Sequence, residues 1–399
     1  MRVICLPGAL RLPLSLFFLL AAAPPLLAAS DFELVDGDRV VLLGGTIIER
    51  EQSSGYWEAM LTSRWPDRNI LFRNLGWSGD NVFGEARSGF GTTADGFREL
   101  KEHVTALRPT VLLVCYGANE SFAGQTGVAN FEQGLQTLLD TLAETKARIV
   151  LISPSPQEEV GKPLPAAAAH NRDLALYRDA LSRTAADRKL QFVDLFALLG
   201  GEETSPRALT DNGLHFTPRG YRATARTLAT GMGITAPETP LELKPQGVQQ
   251  IRLASLPQPP APAAQSTDPK KVIANSAPPT VVTKGLSAGR HVLKIDGQPV
   301  AAATSAEWAK GRTLDSGPDI DQAEALRQAI VAKNRLYFYR WRPQNITYLT
   351  GFRKHEQGQN AKEVVEFDPL IAEQEAKIAM LRVPVERSYE FVQESEAGQ

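Results

Sequence analysis

Short apolar runs alternate with amphipathic stretches between residues 39 and 233. The apolar runs have the length of buried strands, and the stretches between them carry apolar residues at helical spacing. The predicted strands are Val40–Leu43, Ile70–Asn74, Val111–Tyr116, Ile149–Ile152 and Phe192–Leu195. The predicted helices are Tyr56–Arg64, Thr93–Leu107, Phe131–Thr145, Ala166–Arg188 and Pro218–Thr230. This alternation indicates an α/β fold with a mostly parallel five-stranded sheet and helices on both faces.

The pattern changes after residue 233. Residues 234–282 have few periodic apolar runs and include a Pro- and Ala-rich stretch at 256–265, which is typical of an extended linker. An Asp-Gly pair at Asp296 lies inside an alternating stretch and predicts a β-hairpin. Helical spacing returns over Ile320–Asn334 and Pro369–Leu381. We therefore expect an α/β domain over residues 31–233, a linker over 234–282 and a small accessory region over 283–399.

The N-terminus has the pattern of a signal peptide. Arg2 gives a basic start, an apolar stretch peaks at Leu14–Leu27, and the small residues Ala28, Ala29 and Ser30 follow. The apolar stretch is short and interrupted by proline, which argues against a membrane span, although an uncleaved N-terminal anchor is the alternative. We expect cleavage of residues 1–30, export to the periplasm or the medium, and no stable membrane span after the signal has been removed.

Composition limits the class of protein further. The 399 residues are 43% hydrophobic and 22% charged, which excludes a disordered chain. Lys and Arg number 43 against 45 Asp and Glu, so no basic excess points to nucleic acid. Of the two cysteines, Cys5 lies in the predicted signal peptide and Cys115 is then alone, which excludes an internal disulfide. The histidines are scattered, so we predict no metal site and no cofactor.

Four polar segments occupy predicted strand ends or precede a helix. They are Gly44-Gly45-Thr46, Ser78-Gly79-Asp80, Gly117-Ala118-Asn119-Glu120 and Asp211-Asn212-Gly213-Leu214-His215. Ligands of open α/β sheets bind at the carboxyl ends of the strands, so these segments are the candidates for chemistry.

Taken in order, the four segments resemble the motifs of the SGNH hydrolases, also called the GDSL family of esterases and lipases, across roughly residues 38–232. The resemblance implies a flavodoxin-like three-layer α/β/α fold and ester hydrolysis. It also implies Thr46 as the nucleophile, His215 as the base, and Gly79 with Asn119 as the oxyanion hole. Either Asn212 or Asp211 would orient His215, and the sequence leaves both open.

Two positions depart from the family pattern. Thr46 stands where the family has serine, and its extra methyl group stiffens χ1 and crowds the attack. Asn212, three residues before His215, accepts a hydrogen bond but cannot stabilise an imidazolium by charge. Two hypotheses follow. The first is a hydrolase of small-molecule or carbohydrate esters, such as acyl or acetyl esters of sugars. The alternative is a catalytically impaired relative that binds glycans or acylated ligands without turnover.

An aromatic and arginine-rich segment, Tyr337–Arg353, lies in the predicted accessory region. Aromatic faces and guanidinium groups suit the recognition of sugars or carboxylates. If this segment and the residues after it cover the cleft, Arg342, His355 and Glu356 become candidate substrate contacts. The alternative is a strand or loop whose aromatic rings pack on the domain.

Overall fold

The computed structural model describes residues 32–202, 209–234, 240–260, 279–349, 351–356 and 360–394. The predicted signal peptide and residues 235–239 and 261–278 of the predicted linker lie outside the described residues. None of the helices in the described part of the chain is long and apolar enough to cross a membrane.

The first part of the chain has the predicted alternation of strands and helices. Its strands are β1 (Arg39–Gly44), β2 (Leu71–Asn74), β3 (Val111–Cys115), β4 (Arg148–Ile152) and β5 (Gln191–Val193). Its helices are α1 (Thr46–Ser54), α2 (Tyr56–Arg64), α3 (Thr93–Ala106), α4 (Gly124–Ala143), α5 (Ala167–Arg188), α6 (Leu195–Leu198) and α7 (Pro218–Gly231). The five strands form one parallel sheet in the order β2-β1-β3-β4-β5. The predicted α/β fold class is confirmed.

Alternate side chains of each strand enter different cores. Val40 and Leu42 of β1 pack in one core, which also contains Trp57 of α2 and Leu228 of α7. Val41 and Leu43 point to the opposite face, into a core filled mainly from α3, α4 and α5. Because both faces are covered, β1, β3 and β4 are apolar along most of their length, which explains why they appear in the sequence as continuous runs.

The rest of the chain adds a second set of elements. Its strands are β6 (Leu241–Glu242), β7 (Gln249–Ile251), β8 (Thr280–Val282), β9 (Arg290–Ile295), β10 (Gln298–Thr304), β11 (Arg312–Thr313) and β12 (Arg387–Gln393). Its helices are α8 (Ser305–Lys310), α9 (Pro318–Trp341), α10 (Ile346–Leu349) and α11 (Phe367–Leu381). The strands form a four-stranded antiparallel sheet, β10-β9-β12-β7, and a three-stranded sheet, β11-β8-β6. The predicted hairpin is β9 and β10, which turn at Asp296 and Gly297.

Two predictions for this region differ from the structure. Residues 234–282, predicted as a linker, contain β6, β7 and β8 among their described residues. The sequence does not show these strands, because they are very short and pair with distant segments, which leaves no period. The same range also docks on the α/β domain, where the Pro260 carbonyl accepts a hydrogen bond of 2.9 Å from the Tyr56 hydroxyl. Residues 337–341 form the last turns of α9 rather than a strand or loop.

Helix α9 fastens the C-terminal region to the α/β domain. Lys333 of α9 forms a buried ion pair with Glu58 of α2, and Asn334 donates a hydrogen bond of 3.1 Å to the same carboxylate. The Lys333 ammonium also donates to the Phe72 carbonyl of β2 at 3.1 Å. Removal of two charges from water is costly, so this pairing depends on the close packing of α9 on α2 and β2.

Candidate active site

A cavity of about 140 Å³ opens among the loops at the carboxyl edge of the parallel sheet. Thr46, Gly79, Asn119 and His215 all line it, so the residues predicted from the four segments meet in one place. This position follows from the topology, because parallel strands deliver their following loops to the same edge.

Thr46 is the first residue of α1, directly after the glycines that end β1. A Cβ atom on Gly44 would lie 2.3 Å from the Cys115 carbonyl oxygen, so only glycine permits β1 and β3 to end this close together. The Thr46 hydroxyl oxygen accepts a hydrogen bond of 3.3 Å from the Gly79 N–H. The N-terminus of α1 adds a partial positive charge, which favours negative charge developing near Thr46.

Gly79 and Asn119 lie on two loops that contact each other. The Asn119 side-chain amide donates to the Gly79 carbonyl at 2.9 Å, and one N–H of that amide remains for the cavity. Gly79 has φ +76°, a conformation that L side chains rarely adopt. Both residues line the cavity that Thr46 also lines.

The Glu120 carboxylate connects the two chain segments that carry Gly79 and Asn119. One of its carboxylate oxygens accepts from the Val82 N–H and the other from the Gly117 N–H, each at 2.9 Å. Burial raises the pKa of the Glu120 carboxyl to about 7, against the opposing effect of these hydrogen bonds. The sequence predicts no role for Glu120, and its adjacency to Asn119 is the signal that points to it.

The ring of His215 is contacted by Asn212 and not by Asp211. The Asn212 Nδ2 atom lies 3.1 Å from His215 Nδ1. The Asn212 Oδ1 atom accepts from the backbone N–H groups of Leu214 at 3.1 Å and of His215 at 2.9 Å. Those two donors fix which atom of the amide is oxygen, so the NH₂ group faces the ring. The His215 Nδ1 atom is then an acceptor, and the proton of the neutral ring lies on Nε2.

Asp211 turns away and pairs with Arg50 at 2.9 Å. Burial lowers the pKa of His215, Arg50 lowers it further, and Asp211 acts in the opposite direction. Arg50 also lines the cavity, and no motif in the sequence points to it. Within the described residues no hydrogen bond joins Thr46 to His215, although both line the cavity.

The other wall of the cavity carries an aromatic pair that the sequence did not suggest. Phe122 stacks on His170 with ring centroids 4.3 Å apart, and 67% of Phe122 is exposed. His170 is held by Ser121 and Gln157, each 2.8 Å from a ring nitrogen. Burial lowers the pKa of His170. The cavity therefore has an exposed phenyl ring on a rigid support at its edge.

The C-terminal candidates lie elsewhere. The residues lining the cavity do not include Arg342, His355 or Glu356. Arg342 contacts Glu49 and Trp77. His355 is exposed, and Glu356 pairs with Arg353 at 2.8 Å. No group of three or more histidine, cysteine or acidic side chains suited to a metal ion occurs in the part of the chain that is described.

Comparison with known proteins gives one family and several structures. Residues 36–223 match the model of the GDSL-like lipase/acylhydrolase family. No match was found among curated proteins. The solved structure of BT4096, described as a gut microbial diltiazem-metabolizing enzyme, is similar with a TM-score of 0.68 and 17% identity. That similarity covers 92% of this chain and 100% of BT4096, so the C-terminal region belongs to the shared fold.

Two smaller proteins are similar to about half of the chain. Axe2, an acetylxylan esterase from Geobacillus stearothermophilus, has 18% identity and a TM-score of 0.41 over 51% of this chain and 97% of its own. LAE5, an α/β hydrolase enzyme from the metagenome of Lake Arreo in Spain, has 19% identity and a TM-score of 0.41 over 50% of this chain and 97% of its own.

Proposed function

Because residues 36–223 belong to the GDSL-like lipase/acylhydrolase family, we propose that the chain hydrolyses esters in the cavity beside Thr46. The observation that carries this proposal is that a hydroxyl, a histidine and two candidate oxyanion donors, from four separate loops, line one cavity of about 140 Å³. The substrates we propose are small acyl esters, including acetyl esters of carbohydrates.

In the proposed reaction the His215 ring first takes the tautomer protonated on Nδ1, and the Thr46 hydroxyl oxygen then attacks the ester carbonyl carbon while its proton passes to Nε2. The carbonyl π electrons move to oxygen, which becomes an oxyanion. The Gly79 N–H and the Asn119 amide donate hydrogen bonds to it, and each donor lowers the transition-state free energy by about 3 kcal/mol. The Gly79 N–H, which now contacts Thr46, is then released to the oxyanion. The intermediate collapses as the alcohol leaves with the proton from His215. Water, activated by the same histidine, hydrolyses the acyl-Thr46 ester.

The shape of the cavity supports short acyl groups and a ring-shaped alcohol. Pro154, Leu174 and Leu214 contribute apolar walls, and the small volume suits a short chain. Phe122 offers an exposed aromatic face at the edge, and sugar rings pack on such faces through their C–H groups. The proposal of carbohydrate esters depends on Phe122.

A second candidate function is the binding of an ester or acylated ligand without turnover. The orientation of Asn212 favours it, because a ring protonated on Nε2 donates to a ligand oxygen and cannot accept the Thr46 proton. The absence of a hydrogen bond between Thr46 and His215 in the described residues agrees with it, although unliganded catalytic sites are often loose. The two candidates share one pocket and differ in turnover.

The test separates the two candidates. Hydrolysis of p-nitrophenyl acetate and of acetylated xylose is measured for the wild type, Thr46→Ala and His215→Ala. Ester hydrolysis predicts turnover in the wild type and its loss in both variants. Equal rates in all three overturn it. Calorimetric binding of acetylated xylose to a wild type without turnover supports the second candidate, and the absence of both binding and turnover overturns both.

We propose that the protein is exported, on the basis of the basic and apolar pattern of residues 1–30. The test is N-terminal sequencing of the protein recovered from the medium or periplasm of an expressing bacterium. We expect a mature chain that begins near residue 31. A full-length chain retained inside the cell overturns the proposal.

A further inference from the structure

The end of helix α9 contacts the loop that carries Gly79. This loop, here the Gly79 loop, comprises residues 76–81. Gly79 has no side chain, and a Cβ atom at its position would meet nothing within 4 Å. The direction of the Gly79 N–H therefore depends on its backbone contacts with Thr46 and Asn119 and on the residues on either side of it.

Ser78 is held from one side through a chain of contacts that begins at Arg342, the residue directly after α9. The Arg342 guanidinium lies 3.2 Å from a Glu49 carboxylate oxygen, and the two side chains are only 27% and 19% exposed. The same Glu49 oxygen accepts a hydrogen bond from the Ser78 N–H. The Arg342 guanidinium also lies over the Trp77 ring, 3.7 Å from its centroid.

Asp80 is held from the other side. Its carboxylate accepts from Arg87 at 2.8 Å and from the Tyr116 hydroxyl at 3.0 Å, and the Arg87 and Asp80 side chains are fully buried. The Arg87 guanidinium lies 5.4 Å from the Trp77 centroid. Trp77 is thus contacted by two guanidinium groups, one from its own domain and one from the residue directly after α9.

We propose that Arg342 is a positioning residue that fixes the direction of the Gly79 N–H through Glu49 and Trp77. The proposal rests on ester hydrolysis as the proposed function, with Gly79 as an oxyanion donor. A planar guanidinium is suited to both contacts, because it pairs with a carboxylate and stacks on an indole at once. The C-terminal region then contributes to the site by orienting a donor, and Arg342 itself does not touch the substrate.

The experiment compares Arg342→Gln and Arg342→Lys with a matched control, Arg340→Gln. Arg340 lies two residues earlier on α9 and pairs with Asp368 at 2.8 Å, away from the Gly79 loop. Hydrogen exchange of the Gly79 loop amides and the kcat and KM for p-nitrophenyl acetate are measured in the full chain. For Arg342→Gln we expect faster exchange at Ser78 and a kcat lowered about tenfold, short of the about 100-fold expected for a donor lost outright.

KM should stay within about twofold in Arg342→Gln, because the reoriented donor acts mainly on the transition state. Arg342→Lys should lie between Arg342→Gln and the wild type, since lysine keeps the charge and loses the stacking on Trp77. Arg340→Gln should match the wild type in both measurements. Unchanged exchange at Ser78 in Arg342→Gln overturns the proposal, as does faster exchange with unchanged kcat.

Two more variants, Glu49→Gln and the double variant Glu49→Gln/Arg342→Gln, distinguish the proposed positioning role of Arg342 from a general loss of folding. If the two residues act as one unit on Ser78, the double variant has nearly the kcat and exchange rate of Arg342→Gln alone. Independent, additive effects overturn the proposal. A wild type without turnover refutes the proposed function instead. In that case the exchange at Ser78 still tests whether Arg342 holds the loop.

Discussion

At the residue scale, Asn212 decides the protonation of the His215 ring. Its oxygen is occupied by two backbone N–H groups, so its NH₂ group faces Nδ1. In the triad mechanism the ring must carry its proton on Nδ1 so that Nε2 can accept a proton from the nucleophile. The proposed base is therefore held in its less useful tautomer, and we expect slow turnover in the wild type.

Asn212→Asp should raise kcat. A carboxylate accepts a proton from Nδ1, which frees Nε2, and the opposite change in a serine protease triad costs about 10⁴-fold in kcat. We expect a gain of at least about tenfold, limited by the crowded Thr46 nucleophile. Nitrogen NMR of the ring should show the proton moving from Nε2 to Nδ1. Asp211→Asn is the control, with no change of tautomer. An Asn212→Asp variant with unchanged tautomer and kcat would contradict the assignment.

The acidic limit of activity should lie below the ordinary pKa of histidine. Burial and Arg50 lower the pKa of His215, so the base stays neutral to lower pH and kcat/KM falls only as the pH drops through that value. Arg50→Gln removes a lowering influence and should move the acidic limb of the pH profile upward. Asp211→Asn removes a raising influence and should move it downward. Each shift should be under about one pH unit, because the pair is well exposed. Shifts of the same sign would contradict this.

Glu120 should make the stability of the protein depend on pH. Its folded pKa of about 7 lies above the ordinary value of 4.5. The folded state therefore binds more protons than the unfolded state between these values. The contribution of Glu120 to the free energy of unfolding is fully present below about pH 4.5 and is lost as the pH rises to 7. The loss is no more than about 3 kcal/mol. Urea unfolding of Glu120→Gln across this range should show a flatter dependence on pH. A pH dependence identical to that of the wild type would refute the assignment.

At the element scale, α9 attaches the C-terminal region to the α/β domain and ends beside the Gly79 loop. Its buried Lys333 pairs with Glu58 of α2, while Arg342 at its end contacts Glu49 of α1. One helix thus links two helices of the α/β domain, and the second of these contacts is close to the proposed nucleophile. The stability of the α9 packing and the geometry of the site are therefore connected.

Glu58→Gln should destabilise the protein by about 3 kcal/mol, because it leaves the Lys333 ammonium buried without a counter-charge. The double variant Glu58→Leu/Lys333→Met should be less destabilised than the sum of its single substitutions, since both charges are removed together. Urea unfolding gives the free energies. A Glu58→Gln variant within about 0.5 kcal/mol of the wild type would show that the pair does not hold α9 in place.

At the scale of the whole molecule, the sequence predicted the α/β half and, in the C-terminal half, the hairpin and two helices, but not the short strands. Strands β1, β3 and β4 are covered on both faces, so they appear as continuous apolar runs, and three motif segments after strands meet a fourth, which precedes α7, in one cavity. Strands β6, β7 and β8 are two or three residues long and pair across long sequence distances. No local period encodes such contacts.

The candidate site was only partly predictable, because some of its contacts also join residues that are distant in sequence. Segments adjacent to strand ends identified Thr46, Gly79, Asn119 and His215. The choice between Asp211 and Asn212 depends on two backbone hydrogen bonds and on Arg50, which is far away in sequence. The stacking of Phe122 on His170 likewise joins a loop to a distant helix. Such tertiary contacts leave no signal at either residue alone.

If the chain hydrolyses esters as proposed, Thr46 forms an acyl intermediate with the substrate. The most direct test incubates the wild type and Thr46→Ala with p-nitrophenyl acetate, quenches with acid, and measures the intact mass and the mass of the peptide that contains residue 46. Ester hydrolysis predicts one acetyl group on Thr46 in the wild type and none in Thr46→Ala. No acetylation of the wild type together with no release of p-nitrophenol, or equal release in both proteins, would contradict it.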